Sequence, residues 1–283
     1  MTRSADISPL SVLLSRVDAV ADGTTSRDTV PCGFPSLDKM LGGGFRRGDL
    51  IVLGGDVGSG KSALALAFAV RTSVQQRRVA FLTAEMTIER VLEWIIAIEA
   101  RTRIDDLRQG ALDDEERASA GVVAMRLREH LPILECVPAR GSEQLATLLD
   151  ELPELDLVVV DSVAGLAQGS RPVNEEHAAT IRDLKALALA RDVAVLATSP
   201  LPDLSPRPDR RPTLDDFGAL GSIKQHADVV LTLFRQDMYE PSRDIEGATE
   251  LLVRKNRNGP TGYIDLFFYA QWMRFEDMLD PDR

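Results

Sequence analysis

The residues best suited to chemistry stand together in Gly54-Gly55-Asp56-Val57-Gly58-Ser59-Gly60-Lys61-Ser62. Gly55, Gly60, Lys61 and Ser62 meet the spacing G-x-x-x-x-G-K-[ST], the pattern of a loop that cradles phosphates. Glycines at 55, 58 and 60 let the backbone turn sharply and approach a polyanion, with the amides from Gly58 onward facing inward. Asp56, Val57 and Ser59 complete the loop. Lys61 offers an ammonium to the β- and γ-phosphates, and the Ser62 hydroxyl is placed to ligate Mg²⁺.

Two carboxylates extend this chemistry. The apolar run Leu157-Val158-Val159-Val160 ends at Asp161, about a hundred residues after the loop, where an acid could hold Mg²⁺ through a water or the Ser62 hydroxyl. Glu85 follows the run 78–83, read as a strand beside the phosphate-loop strand, where a carboxylate could polarise a water attacking the γ-phosphate. On position alone a solvated strand-end carboxylate explains Glu85 equally well.

The elements that must position these groups follow from periodicity. The apolar run that starts at Leu50 and leads into the loop, with residues 78–83, 133–136, 155–162 and 193–198, reads as strands, and roughly 61–74, 142–152 and 175–191, with a further segment after Thr87, as helices. Thr87 is placed to cap the helix that carries Val91, Trp94, Ile95 and Ile98 on one face. The stretch 104–130 is charged and helical, with the acid run 113–116 suited to a first turn. A proline- and charge-rich loop occupies 200–216. Its Arg207, Arg210 and Arg211 offer cations for phosphates, although a solvated loop is the plainer reading.

Three late segments, 229–234, 250–255 and 263–269, read as strands without intervening helices. The fold class is therefore α/β: a mostly parallel central sheet flanked by helices, with a mixed or antiparallel C-terminal edge. A short helix near 36–41 precedes the glycine loop into the first core strand. Residues 8–21 form an amphipathic helix that either folds back on its own domain or docks on a neighbouring subunit. The expected division is residues 1–28 as linker helix and linker, and 29–283 as the catalytic domain.

Composition narrows the class. With 283 residues and 44% hydrophobic content the chain supports one large domain, and a net charge of −11 argues against a broad basic surface for duplex nucleic acid. Its two cysteines have no metal-ligand spacing, and His130, His177 and His226 form no ligand cluster. No stretch reaches the length of a membrane span and no signal-peptide core follows Met1, so a cytoplasmic protein without membrane partners is expected.

Taken together, the segments resemble the C-terminal motor domain of the DnaB-type replicative hexameric helicases. The likeness runs through Ala84-Glu85-Met86, the stretch 107–115, Leu184-Lys185-Ala186-Leu187-Ala188, Gly221-Ser222-Ile223-Lys224-Gln225-His226-Ala227-Asp228 and Arg254-Lys255-Asn256-Arg257-Asn258-Gly259-Pro260, in family order. The resemblance implies a RecA-like P-loop ATPase, Glu85 as water-activating base and Asp161 as Mg²⁺-associated acid. Lys255 and Arg257 would be fingers reaching the γ-phosphate of the adjacent subunit.

It further implies a homo-oligomeric ring, expected to be hexameric, that uses ATP and Mg²⁺ to move 5′ to 3′ on single-stranded DNA in replication or repair. The helix at 8–21 would pack on a neighbour. The family's separate N-terminal domain, to which primase binds, is expected to be absent, leaving an N-terminal-domain or loader protein on another chain as a partner. Two departures stand out. Pro200 replaces a family Gln, and Gly218-Ala219 replaces an Arg-Glu pair in the DNA-facing loop, so backbone amides of Gly218, Ala219, Gly221 and Ser222 are left to meet phosphates. These departures keep a second reading open: a RecA-like regulatory ATPase of the KaiC type, whose nucleotide state gates partner binding without unwinding.

Overall fold

A strand that is apolar on both faces needs helices on each side, and the computed structural model, which describes residues 8–23, 28–137, 141–167 and 169–279, has that arrangement. The chain opens with helix α1 (Pro9–Ala21) and a short ribbon of β1 (Thr29–Val30) and β2 (Phe45–Arg46) enclosing α2 (Pro35–Met40). Strand β3 (Leu50–Gly55) feeds α3 (Lys61–Val74), followed by β4 (Val79–Thr83), α4 (Ile88–Ala100), α5 (Ile104–Gln109), α6 (Asp114–Leu127) and β5 (Ile133–Cys136). Next come α7 (Gly141–Glu151), β6 (Leu157–Asp161), α8 (Val163–Leu166), α9 (Val173–Arg191) and β7 (Ala194–Pro200). The chain finishes through α10 (Ser222–His226), β8 (Val229–Arg235), β9 (Ala248–Asn256), β10 (Gly262–Tyr269) and β11 (Arg274–Asp277).

Among the described residues the main sheet has the order β11-β10-β9-β8-β3-β7-β6-β4-β5. It is parallel from β8 to β5 and antiparallel from β8 outward to β11, as the late helix-free strands predict. Alternation along β3 divides the core: Ile51 and Leu53 join α3 and α4 on one face, while Leu50 and Val52 join α7 and α9 on the other. Each face is covered by buried apolar side chains, and the carboxyl ends of β3, β6 and β4 lie at one rim.

Four sequence expectations need correction or completion. The strand that leads to Glu85, β4, is not beside β3; β7 and β6 intervene. The stretch 104–130 is two helices, because Gly110 takes a left-handed φ of 65° and Asp113 restarts the chain with a capping box to Glu116. Strand β11 lies beyond the strands that periodicity predicts, since Arg274, Glu276 and Asp277 look solvated in sequence. In the fold Glu276 pairs with Arg71 at 2.9 Å and Asp277 accepts two 2.7 Å hydrogen bonds from Ser36. Finally, α1 does not bury its apolar face within the protomer, leaving Leu10, Leu13, Leu14 and Val17 about half exposed (47–62%). The segments 1–7 and 24–27, which belong to the expected linker, lie outside the described residues.

Candidate phosphate site and its distant cations

The loop between β3 and α3 has the backbone that its glycines permit. Gly58 and Gly60 take φ values of 79° and 98°, and a Cβ at Gly60 would fall 2.7 Å from Phe275 Cζ on β11. A Cβ at Gly55 would fall 2.5 Å from Ser59 Oγ. The unexpected strand β11 therefore forms the floor beneath the loop.

Within the loop Asp56 is a brace. Its Oδ1 accepts the Val57 amide at 2.7 Å, its Oδ2 accepts the Tyr239 hydroxyl at 2.9 Å, and its carbonyl accepts Lys61 Nζ at 2.8 Å. Burial and the bond to Asp56 push the Tyr239 hydroxyl up to about 12. Sequence reading misses Tyr239 because a lone aromatic in a loop between strands carries no pattern. Burial lowers the Lys61 ammonium, opposed by the charges of Asp161, Asp56 and Glu85.

Asp161 closes the other side. Its Oδ1 accepts Ser62 Oγ at 3.0 Å and Thr198 Oγ1 at 2.6 Å, while Oδ2 is buried and has no partner among the described residues. Burial pushes this carboxyl above its usual range despite those two bonds. A buried acceptor left open beside a serine hydroxyl fits a hydrated divalent cation, with Ser62 and Asp161 as its holders. Thr198, one strand over on β7, is a site residue for which the sequence holds no signal.

Glu85, two residues past β4, is exposed and reaches the site despite the intervening strands. The Ala84 amide donates to the Asp161 carbonyl at 2.8 Å, and the Ser162 hydroxyl donates to Glu85 Oε1. Thr83 Oγ1 accepts the amides of Glu85 and Met86 at 3.2 and 3.0 Å, fixing the turn. Lys61, Ser62, Asp161 and Glu85 thus share one rim of the sheet.

Lys255 and Arg257 are elsewhere. They lie at the end of β9 and just past it, where the last residues of the strand pair with Val229 and Val230 at the amino end of β8, the rim opposite the phosphate loop. A six-residue strand spans about 20 Å, which puts both cations beyond the reach of their own loop. Lys255 is half-buried, and its Nζ donates to the carbonyls of Lys224 at 2.8 Å and Ala227 at 2.5 Å. Arg257 is 54% exposed and its Nε lies 3.0 Å from Asp228 Oδ1, so it has a local partner that its sequence motif does not reveal.

The residues considered for nucleic acid are mostly engaged within the fold. Arg207 pairs with Asp216 at 2.8 Å, Arg210 with Glu240 at 2.9 Å, and Arg211 with Glu250 through two bonds of 2.6 and 2.7 Å. Ser222 is buried and its hydroxyl donates to the Ala178 carbonyl at 3.1 Å, and the Gly221 amide donates to the Gly218 carbonyl at 2.9 Å. Ala219 is buried too, and Gly218 through Gly221 all take positive φ. The structure does not gather these seven residues into one open cationic surface.

At the same rim as Arg257, burial, reinforced by the Asp228 carboxylate, pushes Asp49 up to about 6. The folded protein holds that proton more tightly than the unfolded chain, so the stabilisation is complete below about pH 4 and is lost as pH rises through about 6. Asp49→Asn is expected to melt with wild type at the acid end and, at pH 7, about 2–4 °C higher, an order of 1 kcal/mol after allowing for solvent screening. Identical melting temperatures at pH 7 would contradict this origin of the shift.

A family model described as DnaB-like helicase C terminal domain matches residues 29–277. The replicative DNA helicase DnaB of Geobacillus stearothermophilus is 30% identical over 258 residues, covering 88% of this chain and 56% of the relative. The replicative DNA helicase DnaB of Leifsonia xyli is 28% identical over 277 residues, covering 95% of this chain and 60% of the relative. The chain thus spans little more than half the length of these curated relatives. A solved structure described as an ATPase domain superposes with a TM-score of 0.87 at 22% identity, over 96% of this chain and 100% of that chain. Another, "The Structure Of A DnaB-Like Replicative Helicase And Its Interactions With Primase", gives 0.84 at 22% identity, over 98% of this chain and 68% of that one. Both likenesses bear on the fold alone, which is of the RecA-like α/β type.

Proposed function

Since the chain belongs to the DnaB-like helicase C-terminal domain family, we propose that it is an ATP-hydrolysing motor that assembles into a ring, expected to be hexameric, and acts on single-stranded DNA in replication or repair. The observation that carries this reading is the split site. Phosphate-binding groups occupy one rim of the sheet, and the cations suited to a developing γ-phosphate charge occupy the other. A site divided in this way becomes complete when the opposite rim of a second copy meets it, which is a heterologous, ring-forming contact.

In this reading the loop amides and Lys61 bind the phosphates of ATP, and Ser62 and Asp161 hold Mg²⁺. The ion supplies neutralisation of phosphate charge. Glu85, oriented by Ser162, accepts the proton of the attacking water. Arg257, with Lys255 beside it, serves the nucleotide of the adjacent protomer. The exposed apolar face of α1 supports docking on a neighbour, and a loader or N-terminal-domain protein on another chain remains a partner of this reading. The location that goes with it is the cytoplasm, a reducing compartment that suits the two free cysteines. Among the described residues no helix is long and apolar enough to cross a membrane.

A second reading, a regulatory ATPase whose nucleotide state gates a partner, draws support from the internally paired Arg207, Arg210 and Arg211 and the inward Ser222. Pro200 adds to it by removing a side-chain amide and an N–H at the end of β7. The motor reading therefore carries a specific expectation: ring assembly and ATP binding are retained, single-strand binding is weak and salt-sensitive, roughly 10⁻⁴–10⁻⁶ M at physiological salt, and DNA stimulates ATPase only modestly. Titrating labelled oligonucleotide at several salt concentrations, alongside phosphate release, tests it. Nanomolar binding with strong unwinding would show that Pro200 and Gly218-Ala219 carry no such cost, whereas ATPase indifferent to DNA at every salt would favour the gating reading.

A further inference from the structure

Asp228 sits 1% exposed at the amino end of β8 and holds three elements at once. Its Oδ2 accepts the Leu50 amide of β3 at 2.9 Å and Lys185 Nζ of α9 at 2.6 Å, and its Oδ1 lies 3.0 Å from Arg257 Nε. The backbone repeats the pattern: the Asp228 amide donates to the Leu50 carbonyl at 2.8 Å, and the Arg257 amide to the Asp228 carbonyl at 2.9 Å.

These bonds divide the work of the carboxylate. Lys185 and the Leu50 amide compensate its burial, and Lys185 is itself anchored to the Gly48 carbonyl at 2.8 Å. Arg257 is therefore not required to neutralise a buried charge. It approaches from the exposed side with Nε as its nearest nitrogen, 3.0 Å from Oδ1, and its planar guanidinium is the group that suits phosphate oxygens. A half-exposed arginine after a strand would otherwise spread over many rotamers, and holding it in one reduces the ordering cost of engaging a phosphate.

We infer that Asp228 is the positioning residue for Arg257, fixing the guanidinium on the rim that faces the neighbouring protomer's nucleotide. The inference rests on the reading of Arg257 as a group that acts in the adjacent site. Asp228 touches no phosphate itself; it acts only through Arg257.

The test measures kcat and KM for ATP in the full chain carrying Asp228→Asn, Arg257→Ala or both. Asp228→Asn is expected to lower kcat about tenfold, the scale of losing a group that orients a functional side chain, with a smaller change in KM. In the Arg257→Ala background it should have no further effect, because the group it positions is gone. Mixing Asp228→Asn with Lys61→Ala protomers should restore turnover, since the lesion lies on the donating side and the second chain supplies an intact finger. If Lys185 left facing an amide unfolds the variant, Lys185→Met/Asp228→Asn removes both buried charges and is held to the same expectations.

Losses that multiply in the double variant, an unchanged kcat in Asp228→Asn, or no rescue on mixing while Arg257→Ala alone is impaired would each overturn the positioning role and leave the reading of Arg257 standing. Full turnover in Arg257→Ala would remove that reading, and the inference with it.

Discussion

Arg257→Ala is expected to lower ATP turnover by about 10³-fold or more, the range measured when an arginine that meets phosphoryl charge is removed, while the melting temperature barely moves. The two halves of that expectation come from different properties of one side chain. Arg257 is 54% exposed, so its pair with Asp228 contributes at most about 1 kcal/mol to stability. Asp228 keeps Lys185 and the Leu50 amide after the substitution, so no buried charge is left alone. In the proposed shared site the guanidinium would meet charge developing on phosphate oxygens of the adjacent protomer's nucleotide, where a preorganised positive charge is worth far more than in water. Phosphate release and a thermal melt on the same preparation check both halves. Near wild-type turnover would show that Arg257 does not serve a nucleotide.

Glu85→Gln is expected to preserve ATP binding and to lower hydrolysis by about 10²–10⁴-fold, the usual contribution of a general base. The amide keeps the shape of the side chain and can still meet the Ser162 hydroxyl, but it cannot take a proton from water. Binding is unaffected because Lys61, the loop amides and Asp161 are untouched. A fluorescent ATP analogue titrated against the variant, followed by single-turnover hydrolysis, separates the two steps. Unimpaired hydrolysis would return Glu85 to the plainer status of a solvated carboxylate.

What the sequence discloses depends on how local each feature is. The phosphate loop is legible because its chemistry fixes types and spacing within eight residues, and the helix expected over 61–74 appears as Lys61–Val74 with Gly60 as its left-handed cap. Asp161 is legible as an acid ending an apolar run, and the Ser62 bond brings it to the loop. Strand order is not, because adjacency in a parallel sheet is decided by packing between distant segments. The sequence reading therefore expects the strand of Glu85 beside β3, whereas Glu85 reaches the site past two intervening strands, through Ser162, the turn at Thr83 and the Ala84–Asp161 backbone bond. The same limit hides the Asp228–Arg257 pair, separated by a hairpin, and Thr198 on β7. β11 escapes notice for a different reason: its charges are buried as ion pairs with Arg71 and bonds to Ser36, which composition cannot distinguish from a solvated tail.

The claim that each site is shared between two protomers is tested most directly by mixing. Arg257→Ala and Lys61→Ala protomers, each inactive alone, are combined in equal amounts and allowed to exchange within rings. In random assembly roughly a quarter of the interfaces join an intact phosphate loop to an intact finger, so turnover is predicted to reappear in the mixture at a matching fraction of wild type. Co-assembled rings that hydrolyse no more ATP than either variant alone would contradict the account.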